Sequence, residues 1–283
     1  MKRALPPILP MTSEEAEEYK LHRRFDRMGR LVGDQKMKRL MDAHVLVVGL
    51  GGVGSFAAES LARSGVGTLT VVDFDAVCIT NYNRQLHAVD GTVGKNKADV
   101  MAERLRIINR NANVHARAMS YDAEHADELL SPRPDFVVDA IDHVTSKCHL
   151  LATCRQRGIP VVCATGSGGR MDPTQIKIAD LAETTYDPLA KRIRGILRTN
   201  HGFPGEGEHF GIPAVFSVEP HTEPIDLHYD KGKGFRCVCP QGQNEFFTCD
   251  KRSVIYGNAS FVTGAFGLAC ASVVVKHLVA GNF

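Results

Sequence analysis

Residues 45–54 read VLVVGLGGVG, a short apolar run that passes directly into a cluster of glycines. The four apolar residues fit a strand that is buried on both faces of a parallel sheet. The glycines would let the backbone approach a phosphate, and the helix predicted at residues 55–64 would offer unpaired N–H groups. Glycines that only pack this helix on the strand are the alternative, but the order strand, turn, helix favours a nucleotide site.

The same alternation of strands and helices continues along the chain. It predicts an α/β fold with a Rossmann-like, mostly parallel sheet, right-handed crossovers and helices on both faces. The predicted strands are residues 45–48, 68–73, 114–119, 136–140, 160–164 and 214–218, and the predicted helices are residues 14–40, 55–64, 96–109 and 191–198.

The 283 residues, 43% of them hydrophobic, are expected to form one domain. Residues 1–43 would supply N-terminal helices and residues 44–166 the nucleotide-binding core. Residues 167–283 would form a substrate-side and C-terminal extension that packs on the same domain. Within it, residues 199–211 hold four glycines and a proline and predict a loop, and residues 220–250 are polar and irregular.

The apolar segment at residues 261–280 is long enough to resemble a membrane span. Lys276 and His277 interrupt it, and its many small residues suit tight packing, so we expect a buried helix rather than a membrane-associated segment. The N-terminus lacks the apolar core of a signal peptide, and a cytoplasmic location is therefore expected.

Eight scattered cysteines without any C-x-x-C argue against a disulfide framework and against a zinc ribbon. Cys237, Cys239 and Cys249 are the best remaining metal cluster, but a fourth ligand is missing, so ordinary thiols are favoured. The net charge of +2 neither requires nor excludes nucleic acid.

Polar residues after the second strand favour ATP over a dinucleotide. Asp73 can accept hydrogen bonds from a ribose, which an NAD-dependent dehydrogenase would also need. The polar residues that follow are Asn81, Arg84, Gln85 and Lys97. Arg84 and Lys97 are cations, which a triphosphate requires when negative charge develops on its phosphates. A surface cluster of salt bridges is the alternative for each charge taken alone.

Two aspartates, Asp139 and Asp142, follow the fourth predicted strand. Carboxylates at the carboxyl edge of a sheet can hold Mg²⁺, which prefers oxygen ligands and bridges phosphates. Asp142, helped by Asp139, is therefore the predicted metal ligand.

These motifs together resemble the ubiquitin-activating-enzyme-like superfamily, which includes the adenylyltransferases of molybdopterin and thiamine biosynthesis. The resemblance implies ATP with Mg²⁺, an acyl-adenylate, release of pyrophosphate, and a homodimer. The matching motifs are G-L-G-G-V-G at residues 49–54, V-D-F-D at 72–75, N-x-x-R-Q at 81–85, V-G-x-x-K at 93–97 and D-x-x-D at 139–142.

The resemblance implies a role for each of several individual residues. Arg84, Lys97 and Asp142 would act on the phosphates, together with an arginine donated across the dimer, for which Arg27 fits best and Arg30 is second. The implied nucleotide-binding residues are Gly49, Gly51, Gly52, Gly54, Asp73, Asp75, Asn81, Arg84, Gln85, Lys97 and Asp142.

Three further stretches resemble the branch of this superfamily that dehydrates threonylcarbamoyladenosine in tRNA. They lie at residues 168–176, 180–184 and 187–190, outside the nucleotide site. This branch implies that ATP activates the threonyl carboxylate and that cyclisation with loss of water follows. It also implies tRNA and a sulfur-transfer protein as partners, and a monovalent cation beside Mg²⁺.

A cysteine that this branch often carries before the C-terminal apolar segment has no clear counterpart. Ser253, Val254 and Ile255 stand there, and Cys249 is the nearest thiol, so no catalytic cysteine is assigned. The basic residues Lys191, Arg192, Arg194 and Arg198 are the best candidate patch for tRNA, although a solvated helix face is an equally good interpretation.

Three other functions remain open at this point. The chain could adenylate the C-terminal carboxylate of a ubiquitin-like sulfur carrier, although such activators typically carry the paired C-x-x-C motifs that are missing here. It could be a non-catalytic nucleotide-sensing module, or it could transfer hydride with NAD. Release of pyrophosphate in the presence of modified tRNA would separate these alternatives.

Overall fold

The computed structural model describes residues 12–13, 23–227 and 256–280. The cysteine cluster of Cys237, Cys239 and Cys249 lies outside the described residues. So do residues 253–255 and the beginning of the first predicted helix.

Seven strands form one sheet in the order β3-β2-β1-β4-β5-β7-β6. All neighbouring strands are parallel except β6 and β7, which are antiparallel. The Rossmann-like, mostly parallel α/β fold predicted from the sequence is confirmed. The strands are β1 (His44–Val48), β2 (Thr68–Val72), β3 (Asn113–Arg117), β4 (Phe136–Asp139), β5 (Val161–Ala164), β6 (Ile176–Asp180) and β7 (Pro213–Ser217).

Helices cover both faces of this sheet. Alternate residues of β1 point to opposite faces, so Val45 and Val47 join one hydrophobic cluster and Leu46 and Val48 the other. The first face carries α1 (Asp26–Val32), α2 (Asp34–Asp42), α3 (Gly54–Arg63), α4 (Lys97–Ile108) and α8 (Ser260–Ala280), and the second carries α5 (Ala126–Leu129), α6 (Val144–Gln156) and α7 (Pro188–His201).

Three predicted elements differ from the structure. The helix predicted over residues 14–40 is broken at Gly33, whose φ of 84° lies in the region that favours glycine. The basic helix continues to His201 and ends at Gly202, so the predicted loop begins later than residue 199. The edge strand β6 was not predicted, because its half-exposed residues lack a clear apolar pattern.

The C-terminal helix α8 packs against α3. A Cβ atom added to Gly267 would lie 2.4 Å from the Val53 carbonyl oxygen, and one added to Gly264 would lie 3.0 Å from the Phe56 ring. By length and by a mean hydropathy of 1.7 this helix could cross a membrane, but half of its most apolar window is buried inside the protein. The small residues therefore serve close helix packing, as the sequence predicted.

Candidate nucleotide-binding site

The glycine-rich loop lies where the strand order of the sheet reverses, between β1 and β4. Ligands of such sheets bind outside the carboxyl ends of the strands at this point. The loop is tightly packed against the turn after β4, because a Cβ atom on Gly49 would lie 2.6 Å from the Ala140 carbonyl oxygen. Gly49 also has a φ of 90°, so both its space and its conformation require glycine.

Gly54 and Gly51 have different reasons to be glycine. A Cβ atom on Gly54 would lie 1.7 Å from the Gly49 carbonyl oxygen, so Gly54 is needed for the fold itself. A Cβ atom on Gly51 would meet no atom of the described residues within 4 Å. Helix α3 begins here with Val53 as its N-cap and without a side-chain cap. The space beside Gly51, next to this helix N-terminus, is therefore open and suits an anionic group.

Asp73 holds the glycine-rich loop in place. One carboxylate oxygen accepts a hydrogen bond from the Leu50 N–H at 2.7 Å, and the other accepts one from the Asp75 N–H at 2.9 Å. Burial raises the pKa of Asp73 above its ordinary value, although the nearby Lys97 opposes that shift. The sequence predicted a ribose contact for Asp73 and missed this structural contact.

Lys97 reaches the same place from the beginning of α4. The Ala76–Asn96 bridge and a hydrogen bond from the Lys97 N–H to the Asp75 carbonyl, at 2.9 Å, fix its backbone. Its buried ammonium group lies 2.7 Å from an Asp75 carboxylate oxygen. Burial alone would lower the pKa of Lys97, but the charges of Asp73, Asp75 and Asp142 outweigh burial and raise it. The ammonium group therefore stays charged.

Asn81 ends a short 3₁₀ helix, Ile79–Asn81, between β2 and α4, and Arg84 and Gln85 follow it closely. The Asn81 side-chain oxygen accepts a hydrogen bond from the Cys78 N–H at 3.0 Å, so Asn81 shapes the turn. The partly exposed Arg84 donates to the Thr80 carbonyl oxygen at 2.8 Å. The buried Gln85 has a side-chain oxygen for which the described residues supply no hydrogen-bond partner.

The two aspartates after β4 have separate environments. Asp142 is exposed, and its charge acts on Lys97. Asp139 is fully buried and forms an ion pair with Lys147, 2.8 Å from its ammonium group, so it is not open to a metal ion. The expectation that Asp139 helps to hold Mg²⁺ is therefore not supported by the geometry. Among the described residues no group of three His, Cys, Asp or Glu side chains could hold a metal ion. A single carboxylate fits an ion that takes most of its ligands from phosphates and water.

The N-terminal arginines lie at the opposite edge of the sheet. Arg24 in the segment before α1 donates to the Ile108 carbonyl oxygen, at the end of α4, over 3.3 Å. Five-residue strands separate this edge from the glycine-rich loop by about 15 Å. Arg30 is 3.0 Å from Asp26 of its own helix, whereas Arg27 is exposed. Neither arginine is brought to the nucleotide site of its own chain.

Residues 25–282 match the ThiF family over almost the whole length of the described fold. The chain belongs to the ThiF family. It is 42% identical over 255 residues to the tRNA threonylcarbamoyladenosine dehydratase of Bacillus subtilis (strain 168), which covers 90% of this chain and 94% of that protein.

Two further comparisons separate branches of the ThiF family. The crystal structure of Escherichia coli tRNA N6-threonylcarbamoyladenosine dehydratase in complex with ATP matches with a TM-score of 0.78 and 36% identity, covering 96% of this chain and 98% of that one. The molybdopterin-synthase adenylyltransferase of E. coli (strain K12) is 40% identical over 134 residues, but these are only 47% of this chain and 52% of that protein. The similarity to the dehydratases therefore extends beyond the nucleotide-binding core.

In this ThiF-family chain the predicted basic patch divides into two pairs. Arg194 donates to the Thr184 hydroxyl group, and Arg198 donates to the Pro204 carbonyl oxygen at 3.2 Å and lies over the Phe210 ring. Lys191 and Arg192 are exposed. Only this second pair faces the solvent as a cationic surface.

Two contributions to the ThiF-family site could not be read from local sequence. Thr263 of α8 is buried 3.0 Å from the position of a Gly52 Cβ atom, so the C-terminal helix supports the glycine-rich loop. The fully buried Lys147 donates to the Ile141 carbonyl oxygen at 3.0 Å, which fixes the turn that carries Asp142. Both contributions depend on contacts between residues that are far apart in the chain, and a local sequence pattern cannot predict such contacts.

Proposed function

We propose that this chain uses ATP to activate the threonyl carboxylate of threonylcarbamoyladenosine in tRNA. A carboxylate oxygen attacks the α-phosphorus, an acyl-adenylate forms and pyrophosphate leaves. A nucleophilic group of the same modified base then attacks the acyl carbon and displaces AMP, so cyclisation removes the elements of water. The nucleophile is already beside the acyl carbon, and proximity therefore supplies much of the acceleration.

The observation that carries this proposal is the charged, buried Lys97 beside Asp75 and near Asp73, the aspartate that holds the glycine-rich loop. Before a nucleotide binds, the Asp75 carboxylate compensates the charge of the Lys97 ammonium group, and the two groups are 2.7 Å apart. Phosphate oxygens of ATP would take over part of that compensation. A preorganised cation in a water-poor site is well suited to stabilise charge that develops on the phosphates.

The remaining residues have roles that fit their positions. Arg84 would bind phosphate oxygens, Asn81 and Gln85 would position the nucleotide, and Asp73 would orient the ribose while it holds the loop. Asp142 would hold Mg²⁺, which would neutralise part of the negative charge of the phosphates. Arg27 would come from the second subunit of a homodimer, because it lies far from the site of its own chain.

The comparisons support the tRNA substrate more than a carrier protein. Two relatives that cover at least nine tenths of both chains carry the name tRNA threonylcarbamoyladenosine dehydratase or its N6 form. The molybdopterin-synthase adenylyltransferase covers about half of this chain. A single domain, a cytoplasmic location, a sulfur-transfer protein as partner and a monovalent cation belong to the same proposal.

The proposal is tested by pyrophosphate and AMP formation with tRNA that carries threonylcarbamoyladenosine, compared with the same tRNA without the modification. Turnover should require the modified tRNA. Lys97→Ala and Arg84→Ala should abolish it, while Lys95→Ala, which changes an exposed neighbouring lysine, should retain it. Pyrophosphate release that needs a small carrier protein instead of tRNA would favour the sulfur-carrier alternative, and full activity of Lys97→Ala would contradict the assigned chemistry.

A further inference from the structure

Tyr186 combines an exposed ring with an unusual backbone. Its φ is 55°, and it is the one non-glycine residue with positive φ among residues 12–13, 23–227 and 256–280. Its side chain is also among the exposed large hydrophobic groups, at 66%. A bulky residue in this conformation is strained, and such strain concentrates at ligand-binding positions.

A buried arginine maintains this conformation. The Arg170 guanidinium donates to the Tyr186 carbonyl oxygen and to the Gly166 carbonyl oxygen, each at 2.9 Å. Asp187, the next residue, accepts a hydrogen bond from the Gly166 N–H at 2.8 Å. Since Arg170 is almost fully buried, the backbone of Tyr186 is fixed firmly to the loop after β5.

This anchoring places Tyr186 near the reaction site. Gly166 follows the carboxyl end of β5, and β5 is the neighbour of β4, which leads to Asp142. The loop after β1 is therefore about two strand spacings, or about 10 Å, from Gly166. A group bound at Tyr186 would lie beside the nucleotide site and outside it.

A shallow groove that is wide open to solvent begins two residues beyond Tyr186, and two of its six lining residues are cationic. Its volume is about 470 Å³, and it runs along the outer face of α7. No described residue forms an ion pair with Lys191 or Arg192. A Cβ atom added to Gly195 would meet no described atom within 4 Å, so the groove is open to solvent at this position. The lining residues are Pro188, Lys191, Arg192, Gly195, Ile196 and Thr199.

We propose that Tyr186 stacks an unpaired base of the tRNA substrate while Lys191 and Arg192 bind the neighbouring phosphates. This assignment rests on the proposed tRNA function and extends it to a specific docking surface. Proteins that bind single-stranded RNA combine aromatic rings, on which bases stack, with a cationic groove that follows the backbone. An acidic peptide would use the two cations but would not need a strained aromatic ring beside them.

Variants of Tyr186 separate the contribution of ring stacking to tRNA binding from the contribution of the hydroxyl group. Stacking on an aromatic ring changes the affinity for nucleic acid by about 10- to 100-fold per base, so Tyr186→Ala should raise the Kd for modified tRNA by that factor. Tyr186→Phe keeps the ring and should bind like the unchanged protein. Calorimetric binding of ATP and the unfolding midpoint should be the same in both variants.

Charge variants test the groove. Lys191→Glu/Arg192→Glu should weaken binding of modified and unmodified tRNA alike and should reduce the slope of log affinity against log salt by about 2. The matched control is Lys36→Glu/Lys38→Glu, which reverses two exposed lysines of α2 on the other face of the sheet and should leave tRNA binding unchanged.

The outcomes also distinguish this inference from the proposed function. If the unchanged protein forms AMP with modified tRNA and Tyr186→Ala binds that tRNA equally well, the docking surface is wrong and the function stands. If the control charge pair lowers affinity as much as the α7 pair, the groove is not the binding surface. If the unchanged protein neither binds nor turns over modified tRNA, both are overturned.

Discussion

Lys147 and Asp139 form a fully buried ion pair beneath the turn that carries Asp142. The ammonium group also donates to the Ile141 carbonyl oxygen at 3.0 Å, so the pair has a structural effect on the nucleotide site. Removing one member leaves an uncompensated charge in the interior, whereas removing both charges does not.

Lys147→Met should therefore lower the free energy of unfolding by about 3–5 kcal/mol, as measured by urea denaturation. The double variant Asp139→Asn/Lys147→Met should recover most of that loss. Its affinity for Mg²⁺–ATP should nevertheless stay below that of the unchanged protein, because nothing then holds the Ile141 carbonyl. A double variant that recovers both stability and ATP affinity would show that the pair acts on stability alone.

His87 is buried near Lys97 and Arg104, and its ring nitrogens have no hydrogen-bond partner among the described residues. Burial, with the charges of Lys97 and Arg104, lowers its pKa from 6.5 to about 3. The unfolded chain therefore binds a proton at His87 between these values and the folded chain does not.

Stability should consequently fall as the pH is lowered from about 6.5 towards 3, and His87 should contribute up to about 1.4 kcal/mol per pH unit to that slope. His87→Gln should have a shallower slope when urea denaturation is repeated across this range. An equal slope for His87→Gln would contradict the burial argument.

At the residue scale, sequence motifs predicted which side chains gather after β1, β2 and β4. Asp73 and Asp142 both lie close enough to Lys97 for their charges to raise its pKa. The motifs could not distinguish the exposed Asp142 from the buried Asp139, because the partner of Asp139 lies on another element. The residues around Lys147 in the sequence do not mark it as buried, and only the packing of the fold places it in the interior.

At the scale of elements, two glycines within helices have opposite surroundings. Gly267 of α8 lies against the backbone of α3, where a Cβ atom would be 2.4 Å from the Val53 carbonyl oxygen and 2.9 Å from the Ala57 nitrogen. Gly195 of α7 faces open space. The same substitution should therefore have opposite effects at these two positions.

Gly267→Ala should destabilise the protein by about 1–3 kcal/mol, because α8 must move away from α3. Gly195→Ala should stabilise it by roughly 0.5–1 kcal/mol, because alanine is the better helix former. Thermal unfolding of the two variants measures both effects. Gly267→Ala should also weaken ATP binding, since Thr263 would be displaced from the glycine-rich loop, and destabilisation by Gly195→Ala would contradict the description of α7.

Elements with strong patterns were predicted well from sequence, and elements defined by packing were not. The helix predicted at residues 96–109 appears as α4, Lys97–Ile108, with Asn96 as its N-cap. The edge strand β6 alternates less clearly, because an edge strand has fewer buried positions. The break at Gly33 was missed because a glycine inside a charged, periodic segment does not by itself end a helix.

For the whole molecule, the position of Arg27 bears on the proposed homodimer. An arginine at the far edge of the sheet can reach phosphates only in a second subunit. A site would then take Lys97 from one chain and Arg27 from the other.

Equal amounts of Arg27→Ala and Lys97→Ala chains, coexpressed with different tags, should recover about a quarter of the unchanged activity, because half of the dimers hold one intact site. Pyrophosphate release with modified tRNA measures the recovery. Arg84→Ala with Lys97→Ala is the matched control and should recover nothing, because both residues belong to the same chain's site. No recovery in the first mixture would contradict donation of Arg27 across the dimer.

The packing of α8 on the glycine-rich loop also has a consequence for biosynthesis. Thr263 is synthesised about 10 to 40 s after Val53 when a ribosome adds about 5–20 residues per second. Throughout that interval the apolar surface of α3 that α8 will cover is exposed on the nascent chain. We therefore expect chaperones to bind the nascent chain during this interval, and nucleotide binding to begin only after α8 has left the ribosome.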